Sequence, residues 1–279
     1  MTPLEIKEAL EKSGYLFEQR VASVIENLGF HVETNKAYLD PEENKSREID
    51  VLAHKISFEI ENKATGICYI NCECKNTTTP FVFITRKKGF FDKLWVPDGI
   101  FLPYNKYYKE ISRNTVTELN AFYYMQLETS HFAVKEEMKA VQLCKIIQNN
   151  KKFEAQHSGV IEGFIYPLIK SKKVWEEQAP KSNEKKKYCK FFFNLAVVNS
   201  KLYTVNSDLT DPIPTEVNYV PFVREIRTNE IDGRFLITFV TFEYLQQFII
   251  NNLELFCKDV YDKLIEKPEL IESQYIYLQ

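Results

Sequence analysis

A chain of 279 residues, 44% hydrophobic and 27% charged, is long enough for one large α/β domain or a domain with a sizeable insertion. Its formal charge of −3 excludes a surface committed to nucleic acid as a whole, though a local basic cleft is compatible with that balance. Six cysteines without a CxxC pair and four histidines without metal spacing argue against a disulfide framework and a zinc site.

The opening residues, Met1 to Lys12, carry acids and lack a long apolar core, so they are not expected to be a signal peptide. The richest apolar run, Phe235 to Ile250, is interrupted by Glu243, Gln246 and Gln247, and no transmembrane helix is expected. Cys68, Cys72, Cys74, Cys144, Cys189 and Cys257 fit the thiols of a reducing compartment, so a cytoplasmic location is expected.

In chain order, Phe17, Val21, Val24, Ile25 and Leu28 share one helical face, and Gly29 is a stop signal. Glu18 stands at the edge of that stripe, either as a solvated acid or turned toward a sheet beneath. Residues Phe30 to Tyr38 read as a first strand, followed by the charged loop Asp40 to Arg47. From Glu48 to Ala53 the chain alternates, with Ile49, Val51 and Ala53 on one face and Glu48 and Asp50 on the other. Asp is disfavoured inside strands, which marks Asp50. After a turn at Asn62 to Gly66, the strand Ile67 to Lys75 returns with Ile70, Cys72 and Cys74 on an apolar face and Asn71, Glu73 and Lys75 opposite.

Residues 79–130 are aromatic and punctuated by Pro80, Pro97 and Pro103, which reads as an insertion. Its rings either pack it onto the core or, near Arg86, Lys87 and Lys88, stack on bases. The spacing predicts a helix over Val134 to Ile147 and a strand over Ile161 to Ile169. The basic segments Lys170 to Lys173 and Lys181 to Lys190 are either a solvated loop or a contact to a DNA backbone. Phe191 to Val198 reads as a strand buried on both faces, with Lys201 to Val205 folding back along it as a hairpin. A strand over Arg234 to Thr241 and a helical tail from Phe242 to Ile265 complete the chain.

Glu-x-Lys alone is uninformative, since it occurs at five other places, among them Glu5-Ile-Lys7 and Glu61-Asn-Lys63. Only Glu73-Cys74-Lys75 ends an apolar-backed strand that follows both a helix and an acid-bearing strand. The set Glu18, Asp50 and Glu73-x-Lys75 resembles the PD-(D/E)xK nuclease superfamily, and its Mrr-like and Holliday-junction-resolvase-like branches in particular. The resemblance covers residues 15 to 76 by motif, and more loosely 134–148 and 191–198. Ile49 stands where the superfamily's name has proline.

The resemblance implies an α/β fold with a restriction-endonuclease-like core of helix, three strands, helix and strand. A mixed central sheet would be flanked by helices, with an aromatic-rich insertion and extra C-terminal strands and helix. A single composite domain over 1–279 is expected, divided into 1–78, 79–130 and 131–279. The resemblance further implies a metal-dependent endonuclease of DNA, RNA not being excluded, of a restriction-like or antiviral defence kind. Asp50 and Glu73 would hold Mg²⁺ or Mn²⁺, with the Cys74 carbonyl and Glu18 as further ligands, and Lys75 would stand beside the attacking water. Clustered carboxylates repel one another, so their convergence calls for a cation. Two other readings remain: a catalytically silent module of the same fold that binds nucleic acid or protein, and a subunit that needs an activating partner or ligand. A homodimer follows from the need to cut two strands with two sites.

Overall fold

The structure, a computed structural model, describes residues 1–112 and 115–276. Two helices, α1 (Pro3–Ser13) and α2 (Tyr15–Glu26), open the chain, and β1 (His31–Leu39), β2 (Ser46–Ile60) and β3 (Ala64–Lys75) follow as an antiparallel meander. Next come β4 (Phe81–Lys87), β5 (Ile100–Phe101), β6 (Lys106–Ser112), β7 (Thr115–Asn120), α3 (Ala121–Tyr124), α4 (Phe132–Lys135), β8 (Met138–Asn149) and β9 (Lys152–Gln156). After a π turn at Ile161–Ile165 the chain continues through α5 (Tyr166–Gln178), β10 (Lys187–Val198), β11 (Leu202–Asn206), β12 (Thr215–Val217), β13 (Tyr219–Arg227) and β14 (Asp232–Thr241). It ends in α6 (Leu245–Phe248), α7 (Leu255–Glu266), α8 (Glu269–Glu272) and β15 (Tyr275–Ile276).

Among the described residues, twelve strands form one mixed sheet in the order β1-β2-β3-β10-β14-β13-β8-β4-β11-β12, with β5 on β10 and β9 on β8. A smaller sheet joins β15, β6 and β7. No described helix is long and apolar enough to cross a membrane.

The sheet has a separate core on each face. Cys68, Ile70, Cys72 and Cys74 of β3, with Phe191, Phe193, Leu195 and Val197 of β10, meet α2, α6 and α7. Phe192, Ala196 and Val198 of β10 meet α5 on the opposite face. Parallel strands covered on both faces read as apolar runs, and β10 does. β3 carries polar residues on its second face, yet Asn71 and Glu73 are buried there beneath α5. The expected half-solvated strand is therefore a central one. Asn71 is satisfied by a network: its amide donates to the Leu168 carbonyl and to Asn194 Oδ1, and it exchanges hydrogen bonds with Ser171.

Four sequence expectations are overturned. From Met138 on, the helix placed over Val134 to Ile147 is the strand β8, which pairs antiparallel with β4 from Met138↔Lys87 to Lys145↔Phe81. Its 3.6-residue periodicity yields to a partner 50 or more residues away that local pattern does not reveal. The strand placed over Ile161 to Ile169 is helical: the π turn Ile161–Ile165 runs directly into α5, and Pro167 lies at that junction. The segment Lys201 to Val205 does not fold back on β10; β11 pairs with β4 and β12. The basic segment on α5 is not a solvated loop either. Lys170 is buried against Asp40 and Glu42, and Lys172 against Asp98 and Glu176.

Gly66 of β3 sits under the Phe58 ring, just past a register shift in the pairing of β2 with β3. A Cβ at Gly66 would lie 2.2 Å from that ring, which Phe191 and Tyr261 hold in place. Gly66→Ala is expected to destabilise the fold by about 1–3 kcal/mol, read from the midpoint of urea unfolding.

Candidate active site

The β2–β3 ladder runs from Ile60/Ala64 up to Val51/Cys72 and stops there. One residue beyond, Asp50 turns its carboxylate into the gap, and Oδ2 accepts the Cys74 N–H at 2.6 Å. The side chain thus replaces the backbone partner that Cys74 would otherwise have had. β1 pairs with β2 at Thr34↔Val51 and Lys36↔Ile49, but not between Asn35 and Asp50, and Asn35 adopts a left-handed φ of +50°. Asn tolerates that conformation better than most residues.

Side chains change face at this level. Val51 and Ala53 lie in the first core, whereas Ile49 lies in the second. Val32 and Tyr38 of β1 are divided in the same way. The strict alternation expected from Ile49 through Ala53 is therefore broken at Asp50, where the sheet opens.

Glu73, on the next strand, is 6% exposed. Its Oε1 accepts the Lys75 ammonium at 2.5 Å, and its Oε2 is buried without a hydrogen-bond partner. Lys75 is partly exposed and lies 5.7 Å from the centre of the Phe164 ring. Burial, then the charge of Asp50, pushes the Glu73 carboxyl up to about 7 against the pull of Lys75, with Glu18 adding to the rise. Burial raises Asp50, the Cys74 N–H and Lys75 opposing it. Burial and Asp50 raise Glu18 of α2, whose carboxylate takes a hydrogen bond from Asn35. Burial works against the Lys75 ammonium, but the charge and hydrogen bond of Glu73, with the charge of Asp50, hold it above its usual value.

Glu18, Asp50, Glu73 and Lys75 thus lie close enough to act on one another's charge. The Cys74 thiol does not join them; it is buried in the first core, 3.7 Å from the Cys72 sulfur, so only the Cys74 backbone faces the acids. Asn35 and Tyr38 are two neighbours that the sequence reading passed over. Burial, then Asp40 and Glu73, pushes the Tyr38 hydroxyl up to about 12. The signal for Asn35 was an amide residue inside a strand, the same anomaly that marks Asp50.

The donor set suits a hard divalent cation, since every side-chain ligand it offers is a carboxylate oxygen. The buried, unpartnered Oε2 of Glu73 is a free valence of the kind such an ion fills. Among the described residues, no three His, Cys, Asp or Glu side chains close on one point as a full ligand set. Mg²⁺ keeps several of its waters and needs only one or two carboxylates, so the present arrangement fits it. A cavity of about 390 Å³ lined by Lys88, Trp95, Lys139 and Arg234 lies elsewhere. Comparison with protein-family models, with curated proteins and with solved structures finds no match.

Proposed function

We propose that the chain is a Mg²⁺- or Mn²⁺-dependent nuclease of the PD-(D/E)xK type that hydrolyses phosphodiester bonds of DNA. The observation that carries this reading is the pairing of a buried, under-bonded Glu73 carboxylate with Asp50 on the adjoining strand and the Lys75 ammonium two residues on. The element order supports it. Helix α2, strands β1 to β3, helix α5 and strand β10 follow the order that the resemblance implies, with β3 and β10 parallel neighbours. The covering helix is α5, not the segment 134–148.

Hydrolysis adds water across a P–O bond: the water oxygen bonds to phosphorus, the ester bond breaks, and a proton passes from water to the leaving oxygen. In this reading Asp50 and Glu73 would hold the cation, with Glu18 and the Cys74 carbonyl as further ligands. When bound, the ion supplies charge neutralisation at the phosphate and activation of water. Lys75 keeps its proton throughout, and its partly exposed ammonium stabilises negative charge on the hydroxide or the phosphate oxygens. Below about pH 7 Glu73 holds a proton; above it the carboxylate is free to take the ion.

A second reading, a silent module of the same fold that binds nucleic acid, draws on the ion pair that Lys75 already makes with Glu73. Calorimetric titration with Mn²⁺ separates the two. The nuclease takes up Mn²⁺ and loses that uptake in Asp50→Asn, and it cuts at least one of linear, supercoiled, branched or single-stranded DNA. Absence of both uptake and cleavage would rule the nuclease reading out.

A further inference from the structure

The turn that follows β4 exposes two adjacent aromatic rings. Phe90 and Phe91 are 72% and 83% exposed, with ring centres 5.5 Å apart and planes at 77°. A large apolar side chain this bare normally relaxes onto the surface, and a cluster of them marks a binding surface. Here hydrogen bonds brace the backbone of the turn that carries both rings. Asp92 Oδ2 accepts the Gly89 N–H at 2.8 Å and the Lys139 ammonium at 2.7 Å, and the Lys93 N–H donates to the Phe90 carbonyl at 3.2 Å. Beneath, the Lys88 ammonium donates to the Ala133 and Val134 carbonyls at 2.8 and 3.0 Å. The segment that carries the rings is anchored by polar contacts on both sides.

The surrounding charge narrows the partner. Arg86, Lys87 and Lys93 are exposed, and none enters an ion pair among the described residues. A partner that satisfies both rings and cations must combine flat apolar faces with closely spaced negative charge, which is the chemistry of bases on a phosphate backbone. A broad anionic lipid surface fits less well, because the exposed acids Glu136 and Glu137 stand beside the turn and would face it too.

We infer that the 86–93 turn is a nucleic-acid contact in which Phe90 and Phe91 stack on or between bases while Arg86, Lys87 and Lys93 meet phosphates. The inference rests on the nuclease reading for the identity of the strand as substrate. It is tested by fluorescence anisotropy of the full chain in EDTA with a labelled oligothymidylate strand and a mixed-sequence duplex. Phe90→Ser/Phe91→Ser is expected to weaken binding about 10-fold or more. Phe90→Trp/Phe91→Trp, which keeps the rings, is expected to bind as the wild type does. Lys93→Gln is expected to lower the slope of log affinity against log salt by about one. The inference falls if the double serine variant binds DNA unchanged, if the wild type binds neither probe, or if the variant loses only binding to phosphatidylserine vesicles. Mn²⁺ uptake is measured on the same samples. Lost DNA binding in the serine variant of a protein that takes up no Mn²⁺ would uphold the contact and overturn the nuclease. Unchanged binding in a protein that takes up Mn²⁺ and cuts DNA would do the reverse.

Discussion

Glu73→Gln and Lys75→Ala are each expected to lower metal-dependent cleavage of DNA by about 10²- to 10⁴-fold. The two changes fail for different reasons, and that difference is the sharper test. Glu73→Gln removes a carboxylate of the candidate site that has a buried, unpartnered oxygen, so Mn²⁺ uptake should fall with activity. Lys75→Ala removes the cation that occupies Oε1, so Mn²⁺ uptake should persist or tighten while cleavage is lost. Structural collapse does not account for either outcome, since Glu73→Gln removes a buried charge and Lys75 is partly exposed. Cleavage that survives both substitutions would place the chemistry at another site.

Without metal, the folded chain is expected to lose stability as the pH rises from about 4.5 to about 7. Glu73 holds its proton up to about 7 in the fold and to 4.5 in the unfolded chain. Within that window the folded state binds more protons than the unfolded one, so raising the pH favours unfolding. Two and a half pH units at about 1.4 kcal/mol each set the loss at about 3 to 4 kcal/mol at most, present in full above about pH 7. Asp50 and Glu18, also raised, push in the same direction. Lys75, raised from 10.5, also lowers stability as the pH rises, but only at alkaline pH, outside the window. Urea unfolding in EDTA at pH 5 and pH 8 measures the difference. Glu73→Gln should flatten it, and Mn²⁺ should restore the wild type at pH 8. Equal slopes in wild type and variant would show that Glu73 titrates normally.

The residues nearest the candidate site were the most legible in sequence. The alternation of Ile70, Cys72 and Cys74 placed one face of β3 in a core, and Phe191 to Val198 announced a doubly buried strand. Both signals are short-range and follow directly from the pleat. What escaped was set by distant partners. β8 has the residues of an amphipathic helix, and only its ladder with β4 makes it a strand. α5 has aromatic and β-branched residues that suggest a strand, yet it lies across the sheet with Leu168, Ile169 and Trp175 inward. Lys170 and Lys172 looked like solvent-facing cations because their acids, Asp40 and Asp98, lie 130 and 74 residues away. The break at Asp50 was half visible: the acid was conspicuous, but the opposing Asn35, whose backbone lets the strands part, was not.

The amide cluster under α5 has a role beyond satisfying its own polar groups. Asn71 stands opposite Asn194 in the parallel ladder of β3 and β10 and bonds both Asn194 and the Ser171 hydroxyl of α5. A slip of two residues would preserve every inward-facing apolar position, so hydrophobic packing alone would not resist it. That slip would set Asn71 against Phe192 or Ala196 and strand two amides in an apolar layer. The cluster therefore serves as an indexing pin. Glu73, one pleat further along the same face, inherits its alignment from it. Replacing Asn71 and Asn194 together with leucine would be a way to ask whether this sheet can settle in more than one registration.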